Sequence, residues 1–328
     1  MRSICLSIVG LCLLVVLASA SAPLSSPAIR ATAVALDRAD PARVRVGRLR
    51  YLGGWELASS DSRFGGLSAM VWNDGRLLAT SDAGTLFDIG FARGVPMGRV
   101  RGPLPAGPGD GLGKSDRDAE SMTRDPATGR IWIGFEYHNA VWRYDAGAVR
   151  AQAHAEPAAM RGWPQNEGPE AMVRLRDGRF LIFSEGGAGP ERSTALLLFG
   201  HDPVEAGPPP ILAGYRAPAG YKVTDATELP DGRLLLLHRR VSLMQGLTAI
   251  VGLFDPATIR AGHASAAVEI AQLVPPLTVD NMEAMAVSRE GGRLILWIAS
   301  DDNFSPLQRT LLMKFALPAD LGPEHPDR

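Results

Sequence analysis

"MEAMAVSREGGRLILWIASD" (residues 282–301) holds two β-prone runs around a Gly-Gly-Arg turn, with a carboxylate near each outer end. Runs of this kind on either side of a glycine turn read as a β-hairpin. Four other stretches follow the same plan: "LSAMVWNDGRLLATSD" (67–82), "AESMTRDPATGRIWIGFE" (119–136), "PEAMVRLRDGRFLIFSE" (169–185) and "TDATELPDGRLLLLHRR" (224–240). The arginines of the Gly-Arg turns are Arg76, Arg130, Arg179, Arg233 and Arg293. Five hairpins recurring at roughly fifty residues are the signature of a repeat architecture.

Further β-like runs follow each hairpin, such as "NAVWRYD" (139–145), "TALLLFG" (194–200), "ILAGYRA" (211–217) and "LTAIVGLFD" (247–255). About four short strands per unit is the content of a propeller blade. Helical periodicity is nowhere sustained, and 36 glycines with 25 prolines suit many tight turns. The last unit ends after "RTLLMKFAL" (309–317) and lacks an outer strand, which "VGRLRYLGGWELA" (46–58) could supply. The expected fold is therefore all-β: a single β-propeller, five blades favoured and six possible, closed by an N-terminal strand. The expected organisation is a signal peptide over 1–22, a linker over 23–45, the propeller over 46–317 and a tail over 318–328.

The aligned hairpins share a polar column. Two residues before Met70, Met122, Met172, Thr227 and Met285 stand Ser68, Glu120, Glu170, Asp225 and Glu283. Strand alternation puts each on the face of the residue two later, a face expected to point inward. Equivalent positions of a propeller converge on its axis, so four carboxylates and a hydroxyl should meet there. Two unit charges about 5 Å apart at an effective dielectric near 20 repel by roughly 3 kcal/mol. The acids must raise their pKa values, pair with cations or bind a metal. They could equally accept backbone N–H bonds at blade junctions.

A second acidic set ends the next strand: Asp82, Glu136, Glu185, Asp301 and Asp302. Hairpin strands run antiparallel, so both sets should line one mouth. An oxygen-only donor set favours a hard divalent cation, Ca²⁺ most naturally. The six histidines are scattered and show no paired-ligand spacing. Lys222, Arg239-Arg240 and Arg309 are placed to share the mouth, either pairing with the acids or receiving phosphate or carboxylate oxygens. "GLSAM" (66–70) matches a nucleophile elbow poorly, and "GLGKSD" (111–116) lacks the first glycine and the strand–helix context of a P-loop.

A net charge of −1 with no basic run gives no footprint for nucleic acid. The opening "MRSICLSIVGLCLLVVLASASA" has a positive start, a short apolar run and a small-residue end, which read as a secretory signal rather than a membrane span. Both cysteines, Cys5 and Cys12, fall inside it, so the exported chain would have no disulfide. The expected product is a secreted or periplasmic monomer with no membrane span after cleavage.

The segments "GGLSAM…GRLLATSDAG", "DAESM…GRIWIGFE", "NEGPEAM…GRFLIFSEG", "VTDATELPDGRLLLLHRR" and "DNMEAMAVS…ASDDNFSPLQRTLLMKFAL" together resemble the phytase-like propeller family, described as carrying the esterase-like activity of phytase. The resemblance spans roughly residues 46–317, and "DDNFSPLQRTLL" is its most specific block. It implies a secreted or envelope protein and a phosphoesterase-like acidic site, whose acids correspond here to Glu120, Glu136, Glu170, Glu185, Asp225, Glu283 and Asp301. His238 stands where an acid is expected, and Ser68 also breaks the ring.

The expected catalytic set is Glu283, Glu170, Arg239 and Arg240. The expected ligands of a divalent cation are Glu120, Glu170, Asp225, Glu283, Asp82, Glu136, Glu185 and Asp301. The substrate is expected to be a small molecule, phosphorylated if the chain is a metal-dependent phosphoester hydrolase. A non-catalytic binding propeller and a lactone or carboxylic-ester hydrolase of the gluconolactonase type are the alternatives.

Overall fold

The computed structural model describes residues 28–111 and 113–321. Strand accounts for 53% of the structure against 4% helix, which establishes an all-β chain. The expected signal peptide and residues 322–328 of the expected tail lie outside the described residues. No helix among the described residues is long and apolar enough to cross a membrane.

Three strands precede the hairpin units: β1 (Ala28–Ala33), β2 (Arg45–Val46) and β3 (Leu49–Ser59). Five antiparallel sets follow. The first holds β4 (Leu67–Asn73), β5 (Arg76–Ser81), β6 (Thr85–Ala92) and β7 (Val95–Pro103). The second holds β8 (Ala119–Arg124), β9 (Ile131–Phe135), β10 (Ala140–Tyr144) and β11 (Ala151–Ala155). The third holds β12 (Pro169–Arg174), β13 (Phe180–Ala188), β14 (Thr194–Phe199) and β15 (Ile211–Tyr215). In the fourth, β16 (Lys222–Glu228), β17 (Leu234–Ser242) and β18 (Gly246–Phe254) are followed by β19 (Ala264–Ser265), which runs parallel to β15, and by β20 (Val268–Leu273), which pairs with β18. The last holds β21 (Asn281–Glu290), β22 (Arg293–Asp301) and β23 (Leu311–Ala316), and β3 pairs with β23 as its fourth strand.

The turns explain the hairpins. In "NDGR" Asn73 pairs with Arg76, and Asp74 and Gly75 both take positive φ, 48° and 90°. That two-residue turn matches the twist of the flanking strands. Gly291 and Gly292 repeat it between Glu290 and Arg293.

The first strands β4, β8, β12, β16 and β21 neighbour one another in chain order, and β21 neighbours β4, so they form a closed ring. The core lies between sets, not within them. Leu78 and Val71 pack with Ile133 and Met122, Trp132 with Phe180 and Met172, and Phe183 with Leu236 and Phe254. Leu237 packs with Met285 and Ile298, and Met70 and Phe87 with Trp297, completing five apolar layers among the described residues.

The linker expected over 23–45 is corrected from residue 28 onward. β1 pairs with β3 on one side and β7 on the other, joining the last set to the first in one continuous sheet. "AIRATA" buries Ile29 against Trp55 and Leu57, and it occupies two strand edges that would otherwise be open.

His238 belongs to this core. It is fully buried, with Nε2 2.6 Å from the Tyr215 hydroxyl and Nδ1 3.3 Å from the Ile250 carbonyl. Burial pushes its pKa down to about 4. The unfolded chain takes up this proton near 6.5, so the histidine's share of stability is lost progressively as pH falls from about 6.5 to about 4. Melting curves of wild type and His238→Gln, taken with divalent ions chelated, should converge across that window. Parallel curves would show that His238 does not titrate on unfolding.

Candidate functional site

Each first strand carries a β-bulge at its start. The registers shift between Leu67 and Ala69, Ala119 and Ser121, Pro169 and Ala171, Val223 and Asp225, and Met282 and Ala284. The bulged residues are therefore Ser68, Glu120, Glu170, Thr224 and Glu283. A bulge breaks strand alternation and re-aims its side chain. The methionines two residues on instead go into the layers between sets.

The bulges correct one member of the expected ring. Thr224, not Asp225, holds the fourth position. Asp225 sits one residue past the bulge, where the other sets have Ala69, Ser121, Ala171 and Ala284. Its Oδ1 accepts the Ala226 N–H at 2.7 Å and its Oδ2 accepts the Met285 N–H of the next set at 2.6 Å. The carboxylate fastens β16 to β21. Burial still raises its pKa well above the usual aspartate value. Hydroxyls make similar links elsewhere: Ser68 Oγ donates to the Ala119 carbonyl, Ser121 Oγ to Pro169 and Thr224 Oγ1 to Met282. Asp225→Ala leaves two backbone donors unmet, at a cost of about 1–3 kcal/mol each. We expect lower melting with the response to divalent cation unchanged. Loss of that response would return Asp225 to the ligand set.

The second ring is clearer than expected. Register pairs Ser81, Phe135, Ser184, His238 and Ser300 with the residues just before the bulges. The next residues are Asp82, Glu136, Glu185, Arg239 and Asp301. Arg239, not His238, takes the fourth place, so the ring is four acids and one arginine.

All four acids of this ring are buried, as are Glu170 and Glu283, while Glu120 is half-buried. They fall into two groups. Oxygens of Asp118, Glu120 and Glu136 lie within 4.8 Å of one another. Lys114 reaches this group from the loop before β8, 2.7 Å from Asp82 and 3.7 Å from Asp118. The second group gathers Glu170, Glu185 and Glu283 about Arg239. Arg239 Nε is 2.6 Å from Glu283 Oε1, although its N–H is not directed along that line, so the contact is a charge pair rather than a hydrogen bond. Its Nη2 is 3.5 Å from Glu185, and Lys222 lies 2.7 Å from Glu185 and 2.9 Å from Glu167.

Crowding shows in the electrostatics. Burial, then the neighbouring Glu170, Asp118 and Glu136, raises the Glu120 pKa well above the ordinary glutamate value. Burial and Glu185 do the same to Glu170. Glu136 is pushed up to about 7 by burial and Asp118, and Asp301 to about 7 by burial and Asp82. Burial lifts Glu283 to about 8 even with Arg239 pulling it down.

Other expected residues lie outside these groups. Arg240 follows Arg239 on the opposite strand face and stacks over Tyr221, 4.6 Å from the ring centre. It does not join the carboxylates. Asp302 caps a turn through Gly66 and Phe304 N–H groups. Arg309 pairs with Asp280 at 3.3 Å. The sequence reading missed Asp118, although "DAESM" sets it two residues from Glu120. It also missed Lys114, which no strand pattern marks.

A comparison with curated proteins finds no matching sequence. The solved structures it resembles include a Cellvibrio cellulosa alpha-L-arabinanase complexed with arabinohexaose, at 12% identity and TM-score 0.47, covering 76% of this chain and 91% of that one. A putative gluconolactonase is similar at 12% identity and TM-score 0.43, covering 90% and 95%. So is a member of the GH130 family of mannoside phosphorylases, at 14% identity and TM-score 0.46, covering 76% and 84%. One family model, described as esterase-like activity of phytase, matches residues 62–304 and so takes in all five bulged strands and both carboxylate rings. With that match over most of its length, the chain belongs to the phytase-like family.

Proposed function

We propose that the chain is a five-bladed propeller, closed by β3, whose acidic mouth holds a divalent cation and hydrolyses phosphoesters of a small molecule. The blade reading rests on five strand sets whose first strands form a closed ring. The cation reading rests on one observation above all: three carboxylates from one strand set with oxygens within 4.8 Å. Among the described residues Asp82 Oδ1 and Asp118 Oδ1 are buried acceptors without a hydrogen-bond donor, Lys114 Nζ standing 3.7 Å from the latter, a condition a cation would relieve. An all-oxygen donor set suits Ca²⁺ better than Zn²⁺.

Asp118, Glu120 and Glu136 would hold the ion, with Asp82 and Asp301 beside them. A bound cation would neutralise phosphate charge and make water a better nucleophile. Glu170 and Glu283 stand across the mouth, placed to move a proton to or from the reacting groups. Arg239 pairs with Glu283, lowers the pKa of Glu170 and offers a guanidinium to an anionic oxygen. Lys222 lies at the same edge, half exposed. Secretion through the N-terminal segment completes the reading.

The test strips the protein with EDTA and follows melting and bis-p-nitrophenyl phosphate hydrolysis against Ca²⁺, Mg²⁺, Mn²⁺ and Zn²⁺. We expect one cation to raise melting and to support turnover that Glu283→Gln abolishes. Stabilisation without turnover on any phosphoester would leave a binding propeller. Absence of any cation effect would remove the whole reading.

A further inference from the structure

The first strands start at the acidic mouth and end at the hairpin turns, on the opposite side of the ring. There lies a second cavity of about 190 Å³, lined by residues from all five first strands. Met70, Met122 and Met285 are among them, and three arginines, Arg124, Arg174 and Arg176, come from the second and third sets.

The arginines are incompletely matched. Arg124 is mostly buried, and its Nε has no hydrogen-bond partner. Its one ion pair among the described residues, 3.1 Å to Asp74, is to a carboxylate whose side chain is 85% exposed, so water screens it. Arg174 lies 3.4 Å from Asp125, donates weakly to the Leu175 carbonyl at 3.4 Å and sits 6.0 Å over the Trp132 ring, but Asp125 already accepts from Ala127 N–H and Thr128 Oγ1 in its own turn. Arg176 donates to the Pro230 carbonyl and stands 3.8 Å from Glu228, which also accepts the Arg176 N–H. Glu228 is the one carboxylate lining the cavity with them. A guanidinium has five donors in a planar fork, suited to oxyanions. Three arginines line this small hollow with one carboxylate, and one of them has a buried N–H without a hydrogen-bond partner among the described residues.

We propose that this second cavity binds a small oxyanion of phosphate or carboxylate type, gripped by Arg124 and Arg174 with Arg176 at its edge. The site is separate from the acidic mouth and independent of any cation there. The strands that hold Arg124 and Arg174 are the ones whose far ends carry Glu120 and Glu170, so an occupant would brace both from below.

The experiment is calorimetric titration of the EDTA-treated protein with inorganic phosphate, and separately with citrate, at constant ionic strength set by chloride. Chelation excludes binding through a metal at the mouth, and the two anions separate a phosphate site from a carboxylate site. The expected result is saturable binding of one anion, weakened at least about tenfold in Arg124→Gln and Arg174→Gln and unchanged in Lys222→Met. Arg124→Lys, which keeps charge but loses the fork, should fall between and serves if Arg124→Gln does not fold. Absence of saturable binding by either anion would overturn the proposal. So would binding lost in Lys222→Met and kept in the arginine variants, which would place the anion at the mouth.

Discussion

Stripped of divalent ions, Glu120→Gln is expected to melt above the wild type and to lose the response to added Ca²⁺. Both effects have one cause. Glu120 is the member of the Asp118–Glu120–Glu136 group whose carboxylate faces the most like charge, with Glu170 and Glu283 also near. At about 5 Å and an effective dielectric near 20 each close pair costs up to roughly 3 kcal/mol. Proton uptake has already relieved part of that, since the Glu120 pKa is well raised. A remaining gain of about 1–2 kcal/mol corresponds to roughly 2–3 °C for a chain of this size, from about 2.1 cal/mol/K of unfolding entropy per residue.

The amide also removes a ligand charge, and the loss of affinity should exceed the roughly 10–100-fold typical of outer-shell changes. Turnover that depends on the cation should fall with it. The informative comparison is the melting shift with and without Ca²⁺ in both proteins. A variant that melts lower in EDTA and keeps the full cation shift would make Glu120 a structural acceptor and move the ion elsewhere.

The strands were legible because their pattern is local. Gly-Arg turns, apolar runs and carboxylates at run ends can be counted along the chain, and the hairpins from 67 to 301 lie where those signals place them. For β3 the sequence offered only a stretch that could supply the last unit's missing strand, and β3 does pair with β23. β1 was not, because "AIRATA" carries little more than one buried isoleucine, and its pairing with two distant edges is a tertiary fact.

The rings show the same division. Glu120, Glu170 and Glu283 were found because methionine follows each by two residues. The same rule misplaced Asp225, because it assumed unbroken alternation where every first strand has a bulge. Register against the partner strand selects Thr224, and register is not written in one strand alone. His238 was misjudged for the same reason. One residue of offset separates a core histidine from the ring arginine beside it.

That arginine carries the second large effect. Arg239→Gln is expected to cost about 3–5 kcal/mol in the ion-free protein, the usual penalty for removing one partner of a buried ion pair. At roughly 0.6 kcal/mol/K for some 300 residues this is about 5–8 °C. Arg239 is the single cation among five equivalent ring positions. It lies 2.6 Å from Glu283 and 3.5 Å from Glu185, and it also lowers the Glu170 pKa. Without it, three carboxylates share a buried pocket with only Lys222 at its edge.

The sign of the pH dependence follows from Glu283. Its folded pKa, about 8, already lies above the unfolded value. Stability from such a group is present at low pH and is lost as pH rises through the folded pKa. Removing Arg239 lifts that pKa further and extends the loss, so the variant's deficit should widen above about pH 8. A cation that could enter the vacated place would restore part of the stability, and Arg239→Gln would then show a larger Ca²⁺ melting shift than wild type. If the variant melts like wild type at both pH 7 and pH 9, Arg239 is not the counter-charge of this half of the mouth. Its role in the proposed site would then reduce to binding substrate.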